Sequence, residues 1–458
     1  MDVQPFGYLP TLWRLARDPI GCFRWVDRRY GRTALFRRPG RRGKLLLVTS
    51  DPDWIREVVT DDGYRNSTLA LAGPSGSAQR RIRRSLFRLH GEEHRRERRL
   101  MLPALQKRTA DAHRDTMAGI VDETLASWRV GERRDLEREM KDLTRRIAAA
   151  TLFGESDLAA SEAAGRSIEH WIQLNYRNRT RILQLDIPGT PYAEMLALAQ
   201  ELEASLLEMI RRRRSESARG PDLLSAIVRA VDAEGGISER NLVGQSVVMF
   251  LAAHETTAYA LVWTLFLLSQ HPELAVRLSH ELRNTLGGAP PKDNEVALLG
   301  HVIQESLRLF PVVPYTVRVA MRPARLPGLD VPRHTRILIP FDVAHRRAES
   351  FPRPQVFAPE RWQSLEPPPY TYMPFGAGLH MCVGASFATR TLEIVLSMLL
   401  QRFQPVPAAG ARIDRRVTVT IAPRRGLPMT LLEAGRPFER APVRGDVHDM
   451  VDLSGGGE

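Results

Sequence analysis

The chain has 458 residues, 43% of them apolar, enough to bury a large core, and 66 basic against 53 acidic residues leave a formal charge of +13 at pH 7. Two cysteines as far apart as Cys22 and Cys382 exclude a disulfide framework and point to a reducing compartment. The N-terminus carries charges and prolines where a secretion signal needs an unbroken apolar stretch, so the expected location is cytoplasmic.

In chain order, a helical pattern near Leu12 to Tyr30 precedes two β-rich runs, TALFRR and KLLLVTS, which are separated by a Pro-Gly turn and predict a small sheet. From Gly91 to about Leu286 nearly every segment repeats apolar residues with helical spacing, as in MKDLTRRIAAATLFG. Within this region Val247 to Leu268 is long and apolar enough to cross a bilayer. His254 and Glu255 near its middle would be costly in lipid, which predicts a buried core helix and no membrane partner. Another helix runs to Phe310 and is stopped by PVVP. Then come the strand-like TRILIP, a proline-rich meander ending in EPPPYTYMPFG, and a last long helix from Cys382 to about Phe403. Beyond about Ala434, glycine, proline and charge replace periodicity. No linker divides the chain, so the pattern predicts a mainly α fold with small β-sheets (α+β), a single domain over residues 1–433 and a loosely ordered tail over 434–458.

Arginine clusters at Arg37 to Arg42, Arg80 to Arg84, Arg95 to Arg99 and Arg211 to Arg214 supply most of the positive charge. They lack interleaved aromatics, and no zinc-finger, RNP-type or basic-zipper pattern accompanies them, so nucleic acid is not an expected partner.

The stretch PFGAGLHMCVG sets Cys382 among glycines. Gly376 and Gly378 allow a tight backbone path close to a large flat object, and a cysteine at the start of a helix has its thiolate favoured by unpaired N–H groups and the helix dipole. One thiolate with no second cysteine is wrong for zinc but suits an axial ligand of haem iron.

With these residues in place the chain resembles the cytochromes P-450, whose signature Phe-x-x-Gly-x-x-x-Cys-x-Gly is matched by Phe375, Gly378, Cys382 and Gly384. The resemblance implies haem b (iron protoporphyrin IX) held between an oxygen-binding helix and the cysteine-ligand loop and helix, with Cys382 on the iron and His380 on a propionate. It extends to ESLR, where Glu305 and Arg308 would lock onto Arg361 of APERW, and to HRRAESFPRPQVF, where Arg347 replaces the usual Asp. His94 and Arg98 in GEEHRRERR, and Arg318 in PYTVRVA, are the implied propionate partners. In LAAHETTAYA the matching positions are Ala252, Ala253, Glu255 and Thr256. The family widens this helix beside the iron, and its acid and alcohol deliver protons to oxygen; Ala253 stands where a glycine is usual, and its methyl would narrow the oxygen groove. The other reading of these threonines is a structural notch bonded to carbonyls one turn earlier.

The function implied is an O2-dependent monooxygenase that hydroxylates or otherwise oxidises a lipophilic or aromatic small molecule, with analogy favouring natural-product biosynthesis. No flavin or nicotinamide region is fused, so electrons are expected from an acidic ferredoxin or flavodoxin with its reductase, docking at Arg95, Arg96 and Arg99. Expected substrate walls are Thr68 to Leu71, Trp171 to Tyr176, Val248 to Ala252, Val312 to Thr316 and Thr420 to Ala422. The alternatives are a peroxide-using peroxygenase, against which Glu255 and Thr256 argue, and a non-catalytic basic protein that binds haem or nucleic acid.

Overall fold

The computed structural model describes residues 3–4, 7–37, 45–67, 71–154, 158–215, 220–235, 237–293 and 295–453. The Pro-Gly turn and the arginines at 38–42 lie outside these residues. The helices used below are α1 (Tyr8–Arg17), α2 (Pro19–Tyr30), α3 (Gly91–Met101), α4 (Leu136–Phe153), α5 (Leu158–Tyr176), α6 (Pro191–Ser215), α7 (Glu239–Ser269), α8 (Ala297–Leu309) and α9 (Ala385–Leu400).

The helical pattern expected as one unit from Leu12 to Tyr30 is two helices. Asp18 is extended (φ −147°, ψ 94°) because a residue that precedes proline is crowded out of the α region, and Pro19 then opens α2. The two β-rich runs form strands Thr33–Arg37 and Leu45–Thr49, paired antiparallel with Leu35 opposite Leu47. The second pairs parallel with Arg336–Pro340, which pairs antiparallel with Tyr315–Ala320, and that in turn with Tyr64–Asn66. This sheet carries Arg318 into the interior beside the N-terminal third of the chain. A second sheet joins Arg133–Asp135, Pro428–Glu433 and Phe403–Pro407.

α7 is apolar on every side along its C-terminal half and is accordingly the central helix, its start capped by Ser238, which accepts the Asn241 N–H. It is the one described helix long and apolar enough to cross a membrane, and 72% of its most apolar window is buried in the protein. Glycines set two of its contacts. A Cβ on Gly165 would lie 2.6 Å from the Phe250 ring, and one on Gly244 would lie 2.1 Å from the Arg84 carbonyl oxygen. α4 is fastened to it by Thr144 Oγ1, which donates to the His254 carbonyl at 3.0 Å.

The tail expected to be loose is packed as far as Leu453. Val443, Val447, Met450, Val451 and Leu453 are buried in the main core. Periodicity is missing because the segment is an irregular strap whose carbonyls are taken by arginines: Arg346 donates to Met450 O at 2.8 Å, Arg415 to Asp446 O at 2.7 Å, and Arg24 to Asp449 O. Arg24 and Arg346 converge on the fully buried Asp342, with Arg24 Nε 2.8 Å from Oδ2. Burial opposes ionisation of Asp342, but the two guanidiniums outweigh it and hold the carboxyl down at about 2.

Asp342→Asn leaves Arg24 and Arg346 buried without a counter-charge and is expected to cost about 3–5 kcal/mol in urea unfolding followed by tryptophan fluorescence. A loss within 1 kcal/mol of zero, on the order of a surface substitution, would show that the strap is not anchored by this carboxylate.

Candidate active site

A run of contacts begins on α8 and ends at Cys382. Glu305 and Arg308 have no solvent exposure. Arg308 Nη2 and Nε contact Glu305 at 2.8 and 2.9 Å, Arg361 Nε donates to it at 3.0 Å, Trp362 Nε1 at 2.9 Å and the Ala358 N–H at 3.1 Å. Burial alone would raise the carboxyl pKa, but Arg308 and then Arg361 pull it below the ordinary value. Arg308 also donates to the carbonyls of His345 (3.1 Å), Pro354 (2.7 Å) and Val356 (3.2 Å), which gives the meander its path. His345 Nε2 accepts the Met373 N–H at 2.8 Å, Met373 O accepts the Gly376 N–H at 3.0 Å, and Phe375 O accepts the Cys382 N–H at 2.9 Å. Burial, aided by Arg346 and Arg308, lowers the His345 pKa to about 3, so its ring is neutral and able to accept. Arg347 pairs with Asp27 of α2.

The cysteine loop turns at Gly376 (φ +71°) and Gly378 (φ +69°), and a Cβ on Gly378 would lie 2.2 Å from the Val59 carbonyl oxygen. Cys382 precedes the helix expected to start with it: α9 begins at Ala385, after a turn through Val383 and Gly384. The thiol is exposed to the cleft yet deep enough that burial pushes its pKa up, while the Gly384 N–H and the Arg98 charge pull it down. The thiolate expected from a helix start therefore needs a cation beside the sulfur. Cys22 is a core residue, its Sγ donating to Thr11 O at 3.4 Å and its pKa pushed up to about 12, mainly by burial.

Around the loop lies a cluster of cationic and imidazole groups. The His94 ring lies against that of His380, centroids 4.1 Å apart and planes tilted by 39°, and Arg98 Nη1 donates to Met381 O at 2.7 Å. Arg318 is buried, its side chain bonds Thr316 Oγ1 (2.6 Å) alone among the described residues, and burial lowers its pKa to about 10. The sequence reading missed a third ring, His90, 5.5 Å from His380. It lies one turn before His94 on the same face, and that four-residue spacing was the available signal. Burial lowers all three imidazoles, His90 to about 4 and His380 to about 3. Among the described residues His90 Nδ1 and His94 Nε2 are buried with no hydrogen-bond partner, and no carboxylate pairs with Arg318. Such a set calls for anions. The carboxylates and soft metal of iron protoporphyrin IX fit these residues: cations for the propionates, the accessible Cys382 sulfur for the iron, and the apolar Phe375 and Val383 beside it.

On α7, Ala252 is exposed and Thr256 half-buried, with Thr256 Oγ1 donating to Ala252 O at 2.6 Å. The back-bonded geometry of the notch reading is thus adopted, while the oxygen lone pairs stay free to accept. α7 is α-helical without interruption past Ala253, so the widening expected by resemblance is absent among the described residues. Glu255 has no hydrogen-bond or ion-pair partner among the described residues; burial raises its pKa, with Lys141, Glu169, Arg416 and Glu137 around it. Of the expected walls, 68–70 lie outside the described residues. Tyr176 is 40% exposed and Leu71, Val248 and Val313 are partly open, but Trp171 and Thr420 to Ala422 are buried among core side chains.

The expected docking arginines are mostly neutralised. Arg95 pairs with Asp62 and Glu92, and Arg99 with Glu234 at 3.3 Å. Arg96 alone of the three is exposed with no described partner.

The sequence profile described as Cytochrome P450, here written cytochrome P-450, matches residues 5–423. Cyclooctat-9-en-7-ol 5-monooxygenase of Streptomyces melanosporofaciens is 30% identical over 79% of this chain and 80% of its own length. Cyclooctatin synthase of the same organism is 30% identical over 73% of this chain and 76% of its own length. Among solved structures, a retinoic-acid-bound cyanobacterial CYP120A1 superposes with a TM-score of 0.79 at 24% identity, covering 92% of this chain and 96% of its own.

Because His345 is neutral in the folded state, with a pKa near 3 against 6.5 in the free side chain, the unfolded chain takes up more protons below pH 6.5 and stability falls as pH falls. His345→Gln keeps an acceptor for the Met373 N–H and is expected to reduce that slope by about 1.4 kcal/mol per pH unit between roughly pH 6 and 4. Parallel pH–stability curves for the two proteins would refute the assignment.

Proposed function

The chain belongs to the cytochrome P-450 family, the haem b monooxygenases, and from that premise we propose that it oxidises a lipophilic terpenoid-like molecule in secondary metabolism with electrons from a separate acidic protein. The observation that carries the site assignment is the accessible Cys382 thiol near the buried Arg318, which has no described carboxylate partner, and the cluster of imidazoles. The substrate class is supported by two relatives named for cyclooctatin chemistry and by the mainly apolar character of the expected wall residues that stay partly open, Leu71, Tyr176, Val248 and Val313.

Bound haem supplies the redox chemistry, activating O2 with two electrons and delivering one oxygen atom to a substrate carbon. Cys382 Sγ would hold its iron, and Arg318, His94, His380 and Arg98 its carboxylates. The Gly384 N–H donates to the sulfur and so limits its basicity, and Phe375 excludes water there. On α7, Ala252 leaves room beside the group. Glu255, whose proton affinity burial raises, is a proton donor to water beside it, and Thr256 Oγ1 fixes that water by accepting one of its hydrogens. Arg96 presents the unneutralised charge of the α3 face to the electron donor.

The reading is tested on purified protein by the carbon-monoxide difference spectrum of the reduced form and by incorporation of labelled O2 into product. Cys382→His is expected to abolish the thiolate-type spectrum, and unchanged spectra would remove Cys382 as the ligand. Thr256→Ala is expected to lower coupled product formation by on the order of 10²-fold while the hydrogen peroxide released per reductant consumed rises. Coupling equal to wild type would make Thr256 a structural notch only. Arg96→Glu should slow reduction by an acidic ferredoxin, and the wild-type rate should fall with added salt; a salt-independent rate would show that docking does not use this charge.

A further inference from the structure

Glu97 of α3 carries a carboxylate with no exposure to solvent. Its Oε2 accepts a hydrogen bond from Gln245 Nε2 of α7 at 2.5 Å, and its Oε1 accepts one from Arg84 Nη1 at 3.1 Å. Arg84 is held in turn by Glu93, one turn earlier on α3. Gln245 is buried and has its other end fixed as well, because its Oε1 accepts the Leu86 N–H at 3.0 Å. The amide therefore presents its NH2 group to Glu97. A buried carboxylate is costly to keep and costlier to strip of a donor, so a gain in stability does not by itself account for this one.

The bond joins α3 to α7, and α3 is also tied to the cysteine loop. On α7, Gln245 lies seven and eleven positions before Ala252 and Thr256, whole turns away and so on the same stripe of the helix. On α3, the residue after Glu97 is Arg98, which donates to Met381 O at 2.7 Å, and His94, one turn earlier, lies against His380. Neighbouring side chains of one helix thus hold both walls of the slot that faces Cys382. We propose that the Glu97–Gln245 hydrogen bond is the spacer that sets the separation of α7 from the cysteine loop at the carboxylate end of the haem, which makes Glu97 a positioning residue for the cofactor. The inference rests on the assignment of this slot to haem. The order of donors and acceptors gives the pair its exactness. With glutamine at position 97, an NH2 group meets either the Gln245 NH2 or the Arg84 guanidinium, and turning Gln245 over brings its NH2 against the Leu86 N–H. Exchanging the two residue types restores every match.

The test follows transfer of haem from the loaded full chain to excess apomyoglobin by absorbance, with the carbon-monoxide difference spectrum of the reduced protein recorded alongside. Glu97→Gln is expected to release haem on the order of tenfold faster than wild type, the factor one mismatched buried polar group costs, and to lose part of the thiolate-type spectrum. Adding Gln245→Glu should bring release back to within about twofold of wild type, the coupling that a double-mutant cycle isolates. Asp222→Asn strips the buried Arg213 of a partner 3.1 Å away, touches none of the slot residues, and should leave release unchanged; it is the control for general loss of stability. A Glu97→Gln protein that keeps its haem as long as wild type overturns the proposal. So does a double variant no slower than the single one, and so does an Asp222→Asn protein that releases haem as fast as Glu97→Gln. If Glu97→Gln yields no folded protein, Gln245→Met, which leaves Glu97 its bond to Arg84, is read in the same way against wild type and Asp222→Asn. A wild type that takes up no haem fails the slot assignment and the proposal together, whereas a haem-loaded wild type with a silent Glu97→Gln fails the proposal alone.

Discussion

The carboxylate of Glu305 is the constraint on which the rest of the site depends. A charge with no exposure to water is tolerated only if matched on every side, and two guanidiniums, an indole and a backbone amide do so here. The arginines recruited for this purpose have N–H groups to spare, and they spend them on carbonyls of residues 345, 352, 354 and 356. A proline-rich segment with little regular structure thereby acquires a single path. His345 hands that order on, its neutral ring accepting from Met373, the residue from which the cysteine loop departs. The position of the Cys382 sulfur is thus set from α8, a helix that contributes nothing to the cleft chemistry.

Charge in this protein is informative by its pairing more than by its sum. Most of the excess arginine is absorbed structurally: Arg24 and Arg346 on Asp342, Arg213 on Asp222, Arg390 on Asp111 and Glu393, Arg415 on Asp18 and Asp449. Other arginines have no described carboxylate partner, and among them Arg318 stands apart because it is buried and calls for an anion inside, whereas Arg96 on α3 and Arg177, Arg179 and Arg181 after α5 face outward.

The polar notch in α7 follows the same logic in a neutral setting. His254 turns back to Phe250 O at 3.2 Å and Thr257 is buried, so both are accommodated structurally. Glu255 is half-buried with no partner among the described residues, its proton affinity raised by burial, and Thr256 keeps acceptor capacity free. The helix runs uninterrupted past Ala253, so no opened turn widens it among the described residues, and the small side chain of Ala252 leaves its own position exposed.

The amino-acid order alone determined the features carried by local spacing. The helical region from 91 to 286, the two N-terminal strands and the buried character of α7 follow from periodicity and turn chemistry, because the residues that make each one up are near neighbours, whereas the Phe-Gly-Cys-Gly loop and the Glu305–Arg308–Arg361 set were legible through short motifs that resemble those of the family. Tertiary structure decided what depends on a distant partner. It packed a strap without periodicity against Arg24, Arg346 and Arg415 and added His90 to the imidazole cluster. It also neutralised Arg95 and Arg99 and left the Cys382 proton affinity raised where a helix start was expected to lower it. Each of these outcomes is a balance between desolvation and a counter-charge brought from elsewhere in the chain, and no sequence window contains both terms.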